Sequence, residues 1–565
     1  MTAKKITGSQ ALILSLMEEG VDTIFGYPGG AIMPIYDALY DFDKEVKHIL
    51  TRHEQGAIHG AQGYARVSGK PGIVFATSGP GATNLMTGIA DAMIDSTPLV
   101  CITGQVAEPL LGTDAFQESD IVGMSIPVTK WNYQITTPEE IPGVIAQAFY
   151  IATTGRPGPV LIDVTKDAQF GELDYKYEKC TKIRSYVPET SIDPHQIKAA
   201  AELINEAKKP LLFVGQGIII SHAEEEVKAF IEKTGIPAAW TLLGLSALPT
   251  DHPLNVGMLG MHGNYGPNKL TNEADLIIAV GMRFDDRVTG KVSEYAKKAK
   301  IIHIEIDPAE IDKIVKTDVA VLGDAKKALK MLIDNVNPNN HENWHNEFKK
   351  CDTIENEKVI QKDLYPTKPG LTMGEAVRIV SEKTNNEAIL VTDVGQHQMI
   401  AQRYFGFKKS RSNVTSGGLG TMGFCLPAAM GAQLGAPDRT VVGVVGDGGF
   451  QMTIQELGTI AQNKLPVKIM LLNNNFLGMV RQWQQLFFEK RYSFTELHNP
   501  DFITIGKGFG IPGHTVDKRE DLDASIKKML DHDGPYLLEI KIEKEDNVFP
   551  MVPTGASVSD VILEP

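Results

Sequence analysis

The chain is poor in cysteine, with 4 in 565 residues, and Cys101, Cys180, Cys351 and Cys425 are scattered without CxxC spacing. Neither a zinc site nor a disulfide framework is indicated, and all four are expected as buried reduced thiols. Positive charge is also short: 55 Lys and Arg face 70 Asp and Glu, a net of -15. That balance argues against nucleic acid or an anionic membrane as the main partner, while leaving room for a local basic pocket around an anionic ligand. No apolar run approaches the roughly 20 residues of a membrane span. The N-terminal MTAKKITGSQALILSLMEEGV meets acidic residues too early to resemble a signal or transit peptide, so a soluble cytoplasmic protein is expected. A Walker loop, G-x-x-x-x-G-K-[ST], is missing, and GQGIII at 215–220 lacks the third glycine of a dinucleotide loop. No short-period repeat is visible.

What is present is a long alternation of helical and strand patterns, enough for three to four domains of ordinary size. Residues 1–165 hold SQALILSLMEE, TIFGYPGG, KHILTR, GIVFATSG, PLVCITG and PVLIDVT. A polar stretch at 166–190 reads as a linker. The pattern resumes over 191–340 with PLLFVGQG, DLIIAVG and KIIHIEID, breaks at an Asn-, Pro- and charge-rich linker over 341–370, and returns over 371–545 with AILVTDVG, TVVGVVGD, VKIMLLNNN and YLLEIKI. The expected fold class is α/β, three doubly wound parallel-sheet domains, the first and third sharing a class. Residues 546–565, rich in proline and without a period, form a tail that must pack on something or stay mobile.

The chemistry begins at VVGDGGF. TVVGVVG reads as a buried strand, and Asp447 stands just past its end, where open α/β sheets bind ligands. The alternative is that Asp447 caps the following helix. Twenty-seven residues on, Asn474 closes the next apolar run, VKIMLLNNN. If the two runs are successive parallel strands, a carboxylate and an amide oxygen face one crevice, a donor pair suited to Mg²⁺ that completes its shell from a diphosphate and water. In TRHEQGAIHGAQGYARVSG, His53 and Glu54 invite a zinc-helix reading, but Ala57 stands where the second histidine would be. Glu54 then reads either as a first-turn acid favoured by the helix dipole or as a functional carboxylate.

The GDG…NN spacing resembles the signature of thiamine-diphosphate enzymes. GYPGGAIMPIYDAL with RHEQGA, LGMHG with RFDDRVTG, GQHQM with GLGTMGF, and MVRQWQ with the tail FPMVPTGA narrow the resemblance to the catalytic subunits of the acetohydroxyacid synthases, over essentially the whole chain. It implies a pyrimidine-binding first domain, a central FAD-binding domain and a diphosphate-binding third domain. Glu54 would activate the cofactor through N1′ of its aminopyrimidine. Asp447, Asn474 and the Phe476 carbonyl would hold Mg²⁺, while Gly395, Gln396, His397, Gly448 and Gly449 would meet the diphosphate. Met422 would bend the thiamine, beside Met479, with the Gly420 backbone receiving the 4′-amino group; as a residue type, Met422 is equally core filler. For a structural, non-redox FAD the matches are Arg156, Gly215, Gly217, Thr241, Met261, His262, Arg283, Asp307 and Asp324. This sequence departs from the family at Gln216, usually glycine or small, and at Phe476, usually polar.

The implied reaction decarboxylates pyruvate and joins the remaining two-carbon unit to a second 2-oxo acid. Phe116, Gln117 and Lys166 would form the substrate funnel, although Lys166 is also readable as a solvated linker lysine. Arg287 would grip the second substrate's carboxylate, against the alternative of an ion pair with Asp285 or Asp286. Trp483 would wall its alkyl group, against the alternative of core packing. The resemblance further implies a homodimer or homotetramer and allows a separate regulatory small subunit. A flavin oxidoreductase of the pyruvate oxidase type and a non-catalytic paralogue are the competing readings.

Overall fold

The computed structural model describes residues 4–188 and 191–564. Residues 1–3, the last two positions of the first expected linker (189 and 190) and the final tail residue (565) lie outside the described residues. Apolar, β-branched segments such as Leu99–Gly104, Pro159–Val164, Val441–Gly446 and Lys468–Asn473 are buried along their whole length, as strands covered by helices on both faces must be. They belong to three six-stranded sheets, each parallel throughout.

The first sheet runs, in space, Lys47–Leu50, Thr23–Gly26, Gly72–Ala76, Leu99–Gly104, Pro159–Val164, Trp131–Ile135. The third runs Asn413–Val414, Ile389–Thr392, Val441–Gly446, Lys468–Asn473, Tyr536–Lys541, Gly513–Val516. Numbered within each unit, both have the order 2-1-3-4-6-5, which is the kinship expected of the two flanking halves. The middle sheet runs Asn255–Met258, Ala238–Trp240, Pro210–Val214, Leu276–Val280, Lys300–Glu305, Val319–Leu322. Its order, 3-2-1-4-5-6, is that of dinucleotide-binding sheets, although the glycine fingerprint is incomplete.

The first and third units pack together through the helices Glu54–Ser68 and Cys425–Gly435. Backbones touch there: a Cβ on Gly431 would stand 1.8 Å from the Gly60 carbonyl oxygen, and one on Gly63 2.0 Å from that of Ala428. Only glycine allows this approach.

Both stretches read as linkers carry structure. After Thr165 caps it, Lys166–Phe170 is a short helix, and Glu172–Tyr175 pairs antiparallel with Lys4–Thr7. Over 341–370 the main element is the helix Glu342–Glu355, which buries Trp344, Phe348 and Cys351 on one face. Three apolar residues at helical spacing are enough to dock it, despite the surrounding Asn and charge. The tail packs: Met551 bridges Ile562, Ser557 bridges Gly290, and Val552 N donates to the Met261 carbonyl at 2.8 Å. Cys101, Cys351 and Cys425 are buried and free, whereas Cys180, in a polar segment with no core to enter, is partly exposed. Among the described residues no helix is long and apolar enough to cross a membrane.

Candidate active site

Asp447 and Asn474 do arrive at one edge. Strands Val441–Gly446 and Lys468–Asn473 are parallel neighbours, and the two residues follow their C-terminal ends. Asp447 does not cap its helix; Gly446 holds that position, without a side-chain bond. The Asp447 carboxylate, 2 % exposed, accepts from Asn499 Nδ2 at 2.6 Å. Burial pushes its carboxyl up to about 6, with that hydrogen bond and backbone N–H groups opposing. Among the described residues no three His, Cys, Asp or Glu side chains cluster as metal ligands. A cation here must therefore take amide, backbone and ligand oxygens as well, as a hard ion such as Mg²⁺ does.

A cavity of about 60 Å³ is lined by Gly395, Gln396, His397, Met422, Asp447, Gly448, Gly449, Asn474, Phe476 and Met479. His397 is buried, its pKa pushed down to about 3, and its Nε2 has no partner. A neutral imidazole with an unpaired buried nitrogen, beside a buried carboxylate whose side-chain partner is the neutral Asn499 amide, fits a metal diphosphate. The Phe476 ring is occupied by Arg481, 4.9 Å from its centroid, so the departure from a polar residue leaves the backbone oxygen as the useful group. Gly420 has φ 68°, a left-handed conformation suited to glycine, which sets the turn before Met422.

A second cavity, of about 800 Å³, shares Gly395, Met422, Met479 and Val480 with the first. Arg156, Gly217, Thr241, Met261, His262, Arg283, Arg287, Asp324, Gly420 and Trp483 line it. Gly215 and Asp307 stand just outside: Gly215 N donates to the Val280 carbonyl, and Asp307 lies 3.1 Å from Arg156 Nη1. Thr241, Asp307 and Asp324 each cap a turn past a strand end, so their side chains are already engaged in part. The volume falls among small-molecule sites, about 300 to 1,000 Å³. His262 Nδ1 donates to the Pro550 carbonyl at 3.2 Å while its Nε2 is buried without a partner, and arginines converge on the cleft, which fits an anionic dinucleotide such as FAD.

Arg287 Nε sits 3.7 Å from Asp286, with both side chains more than half exposed, a pair too loose to hold it from another carboxylate. Trp483 is partly buried: its ring lies tilted against Phe487, centroids 4.9 Å apart, and it packs against Phe549 and Met551 of the tail while lining the cavity. Glu54, Phe116, Gln117 and Lys166 line neither cavity. Glu54 opens its helix, and its Oε2 accepts from Asn84 Nδ2 at 3.0 Å. Phe116 is 89 % exposed, and Lys166 is the first residue of its helix.

Four contributors escaped sequence reasoning. Asn499, which fixes the Asp447 carboxylate, carries no motif. Glu305 lines the large cavity, where burial pushes its carboxyl up to about 7. Arg403 donates to the carbonyls of His262 and Gly263 at 3.2 and 2.9 Å and pairs with buried Glu355, from the supposed linker. Asp393 accepts from the backbone N–H groups of Gly423 and Cys425 at 3.0 and 2.9 Å, just after Met422. Its signal was present, since it follows the apolar run AILVT just as Asp447 follows its own.

Family models for thiamine pyrophosphate enzymes match all three units: the N-terminal TPP binding domain over residues 6–124, the central domain over 197–332 and the C-terminal TPP binding domain over 393–540. The acetolactate synthase large subunit of Corynebacterium glutamicum is 47% identical, covering 99% of this chain and 90% of that protein. The isozyme 2 large subunit of Escherichia coli is 46% identical over 99% of each chain, and the chloroplastic acetolactate synthase of Arabidopsis thaliana 45% identical over 99% of this chain and 84% of its own. The chain belongs to the acetolactate synthase large subunits of the thiamine pyrophosphate enzyme family.

Proposed function

We infer that the protein is the catalytic chain of an acetolactate synthase, an enzyme that decarboxylates pyruvate and condenses the product with a second 2-oxo acid, pyruvate or 2-oxobutanoate, at the first common step of branched-chain amino acid biosynthesis. The observation that carries this reading is that the two cavities are adjacent: the small one beside Asp447 and Asn474 shares Met422 and Met479 with the larger cleft lined by Arg287 and Trp483. Bound thiamine diphosphate supplies a carbon nucleophile that accepts the electron pair left when carbon dioxide departs. Asp447, Asn474 and the Phe476 carbonyl would hold Mg²⁺ against it, with Gly395, Gln396, His397, Gly448 and Gly449 around the phosphates. Met422 would prop the cofactor, and the Gly420 carbonyl would accept from its 4′-amino group. Glu54 would hold the proton at N1′. Arg287 would take the carboxylate of the second acid, and Trp483, packed against the tail, its alkyl group. FAD would fill the larger cleft in a structural role.

Glu54, Phe116, Gln117 and Lys166 line neither cavity of their own chain, while Val480 on the cavity wall is 49 % exposed and Leu419, between the lining residues Gly418 and Gly420, is 47 % exposed. The first unit of a second copy would cover Leu419 and Val480, making a homodimer or homotetramer with the site completed between chains. A cytoplasmic location and a separate small subunit belong to the same reading. Purified protein given pyruvate, 2-oxobutanoate, thiamine diphosphate, Mg²⁺ and FAD should form acetolactate and acetohydroxybutyrate. Reduction of the flavin by pyruvate at turnover speed would instead identify an oxidase, which the relatives do not favour.

A further inference from the structure

The loop from Thr415 to Phe424 carries Gly420 and Met422, yet much of its grip comes from the first unit of the same chain. Ser416 Oγ and Thr421 Oγ1 both donate to Asp91 Oδ1, the latter at 3.0 Å. The backbone N–H groups of Gly417 and Gly418 donate to the two oxygens of Asp95 at 2.8 and 2.7 Å. Arg66 pairs with Asp95 at 2.8 Å and donates to the Thr415 carbonyl at 2.6 Å. Asp91 is 0 % and Asp95 1 % exposed.

This is an expensive way to tie two domains. Asp91 and Asp95 stand at the C-terminal end of the helix Met86–Ile94, where the helix dipole opposes negative charge, and they share one arginine. Burial and the neighbouring Asp95 push the Asp91 carboxyl up to about 6, and its Oδ2 has no partner. Both groups converge on a single loop. Asp393 holds that loop from its other end, at Gly423 and Cys425, so Gly420 lies within the first set of bonds and Met422 between the two.

We propose that Asp91 and Asp95 are positioning residues for the thiamine site, by which the first unit shapes the Gly420–Met422 wall of its own chain. The proposal rests on the reading of Gly420 and Met422 as cofactor contacts. Each first unit would then do two jobs, setting this wall within its chain and offering Glu54 to the second copy.

The test uses the full chain loaded with FAD, and measures half-saturation by thiamine diphosphate in Mg²⁺ beside flavin binding and thermal unfolding of the thiamine-free protein. Asp95→Asn, which turns an N–H group toward a backbone donor, and Asp91→Leu should each raise half-saturation roughly tenfold, the scale of one lost buried acceptor, and should weaken flavin binding less than that, although Gly417, Gly418 and Gly420 also border the larger cleft. Asp91→Asn keeps an oxygen for both hydroxyls and should stay within about twofold of wild type. If Asp91→Asn is as damaging as Asp91→Leu, or if the variants lose stability without moving half-saturation, the positioning role is overturned. Should Asp95→Asn fail to fold, the Asp91 pair and the double variant Ser416→Ala/Thr421→Val decide, the latter again raising half-saturation. Met422→Ala separates the two layers: no effect there removes the reading of the loop and this proposal with it, whereas an effect confined to Met422→Ala removes the proposal alone.

Discussion

Asp447→Asn should make the cofactor-free protein more stable while destroying its metal-dependent cofactor binding. The carboxyl, ordinarily near 3.8, is pushed up to about 6 by burial. Between those two values the folded chain binds more protons than the unfolded one, so stability falls as pH rises from about 4 to 6, and above 6 the deficit is constant. Two pKa units correspond to about 3 kcal/mol. The figure is net of the Asn499 bond, which an asparagine oxygen can still accept. In wild type a bound cation and diphosphate would cancel the deficit, so the stored cost would lie where binding removes it. Thermal unfolding of stripped wild type and variant from pH 4 to 8 is the assay. At pH 7.5 the variant should melt several degrees higher, about 2 to 4 °C per kcal/mol if the third unit unfolds as one body. At pH 4 the two should coincide. Adding Mg²⁺ and thiamine diphosphate should raise wild type and leave the variant unmoved. A variant that is less stable than wild type at pH 7.5, or equally advantaged at pH 4, would refute the argument from burial.

Glu54→Gln should leave folding and Mg²⁺ binding intact but slow proton exchange at C2 of bound thiamine by about 10² to 10⁴, followed by NMR; exchange at the wild-type rate would reduce Glu54 to a first-turn acid. Mixing inactive Glu54→Gln and Asp447→Ala proteins under subunit exchange should restore part of the activity, because one hybrid site has both residues, and no recovery despite proven exchange would place the site within one chain. Trp483→Leu should lower the ratio of acetohydroxybutyrate to acetolactate, since one methylene in a packed pocket is worth about 10- to 200-fold; competition between the two acids reads it, and an unchanged ratio would assign Trp483 to packing against the tail.

Local pattern alone determined a good deal. Fully apolar runs ended by Asp or Asn specify a buried parallel strand and the crevice at its end, so three α/β units, Asp447 and Asn474 were legible without contacts. The kinship of the flanking halves was legible as a class. Tertiary structure decided what depends on partners far away in the chain. The shared 2-1-3-4-6-5 order, and the 3-2-1-4-5-6 order between, follow from which strands meet, a choice the period of a strand does not encode. Trp344, Phe348 and Cys351 became a docked helix because a groove beside Pro210 was there to receive them, Trp344 Nε1 donating to its carbonyl. Asn499 meets Asp447 across 52 positions, and Asp91 meets Ser416 across 325. A side chain acquires such a role from the groups that folding brings to it, and burial then fixes its protonation; neither quantity exists until the chain has closed around it.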